Sequence, residues 1–206
     1  MKQLIYIFLF AVTQVNAQMP KHQPRPVSSS ASSITYATYN PLDMGTHLTL
    51  SNGNLTVTGD GDAAGHLVRS TIGKSSGKWY WENVINTSGI HHTLGIATAA
   101  ASLNAQGIDN DAFAWTIGVD GWVHNNGGAS NYTSAFGTAV VGCALDMDGL
   151  TFKIYVSNVL VYSTSIVAGT YYGCVISYFS ADNSTTNFGA TTLTYSPPAG
   201  YNAGLY

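Results

Sequence analysis

Charge is scarce in this sequence. Asp, Glu, Lys and Arg make up 8% of the 206 residues, against about a quarter in an ordinary soluble domain. The seven Lys and Arg are scattered. That argues against nucleic acid or an anionic membrane as partner, because both are held by clustered cations. There is one glutamate, Glu82. A facing pair of catalytic carboxylates would therefore need aspartates, and most of these stand beside Gly or Asn, as turn residues do. The two cysteines, Cys143 and Cys174, are too few for a disulfide framework. They either pair or stay as buried thiols, since free Cys is among the most buried residue types. Helical periodicity is missing, and no apolar run is long enough to span a bilayer as a helix.

What is present begins with a leader. Lys2 precedes the uncharged apolar stretch Leu4 to Val12, and Val15 and Ala17 stand where a signal peptidase reads small residues. Residues 1–17 thus read as a signal peptide, which places the mature chain in a secreted, periplasmic, cell-surface or virion-surface setting. No transmembrane segment is expected after cleavage. Residues 18–35 read as a flexible linker, with Pro20, Pro24 and Pro26 followed by a serine-rich run.

From residue 36 to residue 206 the period is two, as in strands. Leu48–Leu50 and Leu55–Val57 flank Asn52-Gly53, a hairpin signal. Lys78–Ile85, Thr93–Ala97 and Ala114–Ile117 read as strands, and a turn at Asp120-Gly121 leads to Trp122–His124. Val140–Asp146 turns at Asp148-Gly149 into Leu150–Val156, and Ser157-Asn158 turns into Val159–Ser165. Tyr171–Phe179 is a long apolar strand. Short strands with turn signals at this spacing indicate an all-β sandwich or barrel.

Several segments together resemble the SPRY family. They are GKWYWE at Gly77–Glu82, LGIATA at Leu94–Ala99, VVGCALDMDGLTFKIY at Val140–Tyr155, NFG at Asn187–Gly189 and YSPPAGY at Tyr195–Tyr201. The opening, Tyr39–Gly59, is similar to the variant found in phage and bacterial proteins. The likeness runs in order from Tyr36 to Tyr201. One departure is the hairpin Val156-Ser157-Asn158-Val159, which lacks the family's glycine. The resemblance implies a bent antiparallel two-sheet β-sandwich of concanavalin-like type. It also implies an exported, non-catalytic module that binds a protein or peptide through end loops, without a cofactor. A virion or cell-surface adhesion component and a lectin-like glycan binder are the alternatives.

Other motifs yield blander readings. Gly73-Lys74-Ser75-Ser76-Gly77 fits a serine-hydrolase elbow in letters only, since that motif needs a preceding strand and a following helix. Asp60-Gly61-Asp62 and Asp109-Asn110-Asp111 have calcium-like spacing without the rest of an EF-hand loop, and read as loop caps. His91-His92 reads as a surface turn pair, and no metal site is expected.

Counting reversals from Lys78–Ile85 puts the connections Thr98–Phe113 and Asn125–Ala139 at one end, beside Ser180–Thr185. The expected partner-binding residues are Asp109, Asp111, Asn125, Asn126, Tyr132 and Asp182, with Trp122 as an exposed aromatic. Mass spectrometry of the secreted protein is expected to find a chain starting at Gln18; an intact Met1 would overturn the leader.

Overall fold

A computed structural model describes residues 33–62, 64–87, 92–105, 111–125, 128–178 and 180–206. Chain contacts separate Met1–Ser33 from Ile34–Tyr206. The leader and nearly all of the linker lie outside the described residues, as do Asp109, Asn126 and His91.

The described residues form strands and no helix. In chain order they are β1 (Tyr39–Met44), β2 (Leu48–Ser51), β3 (Thr56–Asp60), β4 (Gly65–Lys74), β5 (Lys78–Ile85), β6 (His92–Ala97), β7 (Asn104–Ala105) and β8 (Ala114–Gly118). There follow β9 (Trp122–Asn125), β10 (Gly128–Asn131), β11 (Val140–Asp146), β12 (Thr151–Val156), β13 (Val159–Ser165), β14 (Tyr171–Ser177), β15 (Ser180–Asn187) and β16 (Asn202–Ala203). One sheet has the order β1-β4-β14-β6-β8-β9-β10, with β7 on β4; the other has β13-β12-β11-β5-β15-β3-β2, with β16 on β5. Every pairing is antiparallel except β16 with β5. This is the two-sheet sandwich expected from the sequence.

The main core lies between the sheets. Phe152, Ile154 and Val156 of β12 alternate inward, as do Val141, Cys143 and Leu145 of β11, and they meet Trp81, Leu94, Ile96 and Val175. A polar chain crosses this core. The Tyr39 hydroxyl donates to Thr186 Oγ1 at 2.6 Å, and Thr186 donates to Asn83 Oδ1 at 2.6 Å. Fully satisfied, such a network fixes the two sheets against each other at little net cost.

A second, smaller cluster covers the outer face of the first sheet: Leu67, Ala97, Ala101, Ala114, Cys174, Ile176 and Tyr178. This explains the unbroken apolar run of β14, whose residues are buried on both faces. The covering element is residues 98–105, a strap that leaves β6 and crosses to pair Asn104 with His66 of β4. Arg69 holds this strap. Its guanidinium donates to both Asp43 oxygens at 2.8 and 2.7 Å and to the carbonyls of Thr98 and Ala101 at 3.1 and 2.8 Å. Cys143 and Cys174 are both free and buried.

Turns that the sequence marks follow their chemistry. The Asp146 carboxylate accepts the amides of Asp148 and Gly149 and pairs with the Lys78 ammonium at 2.9 Å. Burial works against its ionisation, yet the Gly149 amide and Lys78 outweigh it and hold its pKa below the ordinary value. The glycine-free hairpin closes with Ser157 and Asn158 both left-handed, at φ 48° and 66°, the conformation a two-residue turn of this kind requires. Gly95 in β6 is needed for a different reason: a Cβ there would lie 2.0 Å from the Trp115 carbonyl oxygen. Ser75–Gly77 is the turn joining β4 to β5, with no helix after it.

His92 overturns the surface reading of the histidine pair. It is fully buried at the start of β6, with Nε2 2.7 Å from Ser184 Oγ of the opposite sheet. The alternation of Leu94 and Ile96 into the core carries His92 inward with them. Burial pushes its imidazole pKa from 6.5 down to about 4. Above pH 6.5 the ring is neutral in both states. Below that, the unfolded chain takes up a proton and the folded chain does not, so stability falls with pH until about pH 4.

Two outcomes follow from these contacts. The wild type should lose about 3 kcal/mol more than His92→Gln between pH 7 and pH 4; equal losses in urea titrations would remove His92 as the cause. Arg69→Met should cost about 3 kcal/mol and expose Cys174, but not Cys143, to thiol labelling in the native state.

Candidate functional site

Strand directions place the connections. The tight turn 75–77 sets the end of β4 beside the start of β5, and antiparallel pairing fixes the rest. The connections at 119–121, 132–139 and 157–158 then lie at the upper end, where β5 finishes. Those at 147–150 and 166–170 lie at the lower end with 75–77.

The sequence-based count put Asn125–Ala139 in one loop, at one end with Thr98–Phe113 and Ser180–Thr185. The structure corrects this. β10 lies inside the supposed loop, in register with β9 from Gly128↔Asn125 to Asn131↔Trp122. One added strand reverses the parity of everything after it. The signal was present in sequence: Asn126-Gly127 stands between the paired residues, the strongest short hairpin signal. Ser180–Thr185 belongs to β15, not to a loop, and residues 98–105 form the strap over the first sheet.

The expected binding residues therefore separate. Asp182 is buried in β15. Asp111 spends its carboxylate on the amides of Ser102 at 3.0 Å and Phe113 at 2.8 Å. Asn125 and Tyr132 do come together, at the side edge where the two sheets leave strands unpaired, whereas Trp122 alternates to the other face of β9.

That edge is a groove between β10 of one sheet and β13 of the other, each bonded on one side only. Its cavity of about 190 Å³ is lined by Val123, Asn125, Gly128, Ser130, Tyr132 and Tyr162. Tyr132 stacks edge-on against Tyr162 with centroids 4.8 Å apart, and the Tyr132 amide donates to the Gly121 carbonyl. Trp122 and Tyr132 remain 41% and 49% exposed. Asn125 Oδ1 is buried and accepts no hydrogen bond. Sequence reasoning missed Tyr162, because nothing in the β13 strand shows which sheet edge it meets.

A larger cavity of about 810 Å³ is lined by Tyr36, residues 189–197 and Ala203. Its wall is anchored to the sheet by Glu82, which accepts the amides of Thr194 at 2.6 Å and Tyr195 at 2.7 Å. It has no charged lining residue and no unpartnered buried polar atom among the described residues.

Solved structures with the same arrangement are SPRY domains. The TRIM65 PSpry domain superposes with a TM-score of 0.62 at 16% identity, covering 74% of this chain and 90% of that one. The SPRY domain of human HERC1 gives 0.60 at 18%, covering 72% and 96%. The fold is that of the SPRY domain. Stonustoxin gives 0.58 at 18% identity, covering 74% of this chain and 27% of the toxin. No protein-family model and no curated protein matches the sequence.

On this SPRY sandwich the donors that could ligate a metal ion are His47, Asp62 and His66. His47 and Asp62 lie in the β1–β2 and β3–β4 connections and His66 at the start of β4, on the opposite side edge from the groove.

Proposed function

We propose that this chain is an exported, non-catalytic binding module that takes a protein or peptide into the β10–β13 groove. The observation that carries this reading is the combination at that edge. The exposed ring of Tyr132 stands over the groove, two strand edges are unpaired, and a buried acceptor, Asn125 Oδ1, has no partner among the described residues. A buried acceptor without a partner costs free energy unless a ligand satisfies it. An exposed Tyr supplies contact area at low entropy cost. An extended peptide can add main-chain hydrogen bonds to either open strand. The SPRY fold of the TRIM65 and HERC1 domains supports a binding role, and the leader supports export.

The glycan alternative rests on Trp122, whose exposed ring could stack on a sugar. The two readings part in one experiment. A displayed peptide library is panned against the purified protein, and the enriched peptides are measured on Asn125→Ala and Tyr132→Ala variants. Binding should fall at least about tenfold, equivalent to about 1.4 kcal/mol, with melting temperatures nearly unchanged. Peptides that bind both variants as well as wild type would place recognition elsewhere. An array on which glycans bind, where peptides do not, would favour the lectin reading.

A further inference from the structure

Three side chains, His47, Asp62 and His66, meet where the β1–β2 connection, the β3–β4 connection and the start of β4 lie side by side. His47 Nε2 is 3.1 Å from Asp62 Oδ2, and His66 Nε2 is 3.8 Å from the same oxygen. All three donor atoms lie within 4.8 Å of one another. A tetrahedral ion with bonds of about 2.0–2.1 Å needs donors about 3.3 Å apart, so small side-chain adjustments bring the three to bonding distance.

The surrounding contacts aim each donor inward. His47 presents Nδ1 to the Asp60 carboxylate at 3.0 and 3.1 Å, which leaves Nε2 facing Asp62. Asp62 accepts the Ala64 amide on Oδ1 at 2.8 Å, leaving Oδ2 facing the histidines. The same amide bond holds the Asp62 pKa below the ordinary carboxylate value. His66 Nδ1 lies 2.7 Å from Asn104 Oδ1, and the Thr46 amide also donates to that oxygen at 2.9 Å. Asn104 Oδ1 is thus an acceptor, and His66 carries its proton on Nδ1.

The decisive atom is His66 Nε2. The side chain is 5% exposed, and this nitrogen is buried without a hydrogen-bond partner. It lies 3.8 Å from Asp62 Oδ2, and a cation between the two would bond both. The outer contacts from Asp60 and Asn104 are those that orient and strengthen metal-ligating histidines.

We infer that His47, Asp62 and His66 form a binding site for a divalent first-row transition-metal ion. Two imidazoles and one carboxylate suit Zn²⁺ or a neighbouring metal over Ca²⁺ or Mg²⁺, which take oxygen ligands. His47 and Asp62 are partly exposed, so the open coordination position faces solvent and takes water. The ion ties together the β1–β2 and β3–β4 connections and, through Asn104, the strap.

The test uses the purified full chain, stripped with chelator and titrated with Zn²⁺ by calorimetry and thermal melting. One ion per chain is expected. At a hundredfold excess over Kd the melting temperature should rise by about 5–10 °C. Asp62→Asn and His47→Gln, both at partly exposed positions, should each weaken binding at least tenfold, and Asp60→Asn should weaken it less. His66→Gln should abolish it, and should that variant fail to fold, the other two still decide. His91→Gln should bind as wild type. Zn²⁺ binding that survives in Asp62→Asn and His47→Gln, or is lost in His91→Gln, overturns the site. So does a response to Ca²⁺ or Mg²⁺ without one to Zn²⁺. Nitrogen NMR showing His66 doubly protonated at neutral pH would replace the site with a His66–Asp62 ion pair.

Discussion

Arg69 of β4 ties its ladder neighbour β1 to the irregular start of the strap, which no ladder holds. Its four hydrogen bonds reach Asp43 at the end of β1 and the carbonyls of Thr98 and Ala101 at the start of the strap. The guanidinium is buried while Asp43 keeps about a third of its side chain in water, so the pair sits between a surface and an interior ion pair. Its fork geometry matters more than its charge. A planar group with five donors can hold a carboxylate and two carbonyls at once, and Lys cannot. Without the strap, Leu67, Cys174 and Ile176 on the outer face of the first sheet would face water.

Glu82 does the corresponding work on the other sheet. The only glutamate in the chain is 1% exposed and receives the amides of Thr194 and Tyr195, with the Tyr80 hydroxyl at 3.3 Å. It binds a segment without regular structure to the middle of the sheet. Asp146 repeats the pattern with the amides of its own turn and Lys78. In a chain with so few charges, these three are used where irregular backbone must be tied to a ladder. Charge-assisted hydrogen bonds serve this purpose because they are stronger than neutral ones.

The sequence reveals the parts of this fold that depend on local chemistry. The Asp146 turn and the Ser157-Asn158 hairpin can each be read from neighbouring residues, since each meets a constraint within a few positions, whereas the need for Gly95 comes from Trp115 on β8. β15 could not be read that way. Ser180-Ala181-Asp182-Asn183-Ser184-Thr185 has loop composition, yet Asp182, Ser184 and Thr186 point inward and are buried. The hydroxyls of Ser184 and Thr186 find His92, Tyr39 and Asn83, residues 92 to 147 positions away in the chain. Propensity describes a half-apolar strand surface and gives no weight to a polar face satisfied by distant partners. The His47–Asp62–His66 cluster was hidden in part for the same reason. Asp60-Gly61-Asp62 reads as a capping turn and His66 stands four positions beyond it, but His47 reaches it only through sheet topology. The β10 error was different, because its Asn-Gly signal was local and was absorbed into a presumed loop.

These features divide the two side edges of the sandwich. On one side, β1, β2, β3 and β4 are bound by the Arg69 fork, the histidine–aspartate cluster and the Tyr39–Thr186–Asn83 chain, so their polar groups are mostly engaged within the fold. On the other side, β10 and β13 each have one bonded neighbour, Trp122 and Tyr132 stand in solvent, and Asn125 keeps an unused buried acceptor. An edge left open in this way invites pairing with another chain unless something blocks it. Neither strand carries Pro, and the only ionisable side chain on either is Tyr162 of β13, packed under Tyr132. Charge and proline, the usual means of blunting an edge, are missing where the groove is. The edge is therefore open to an added strand, while at the opposite edge, where β1 and β2 are also terminal, buried charge braces the two sheets.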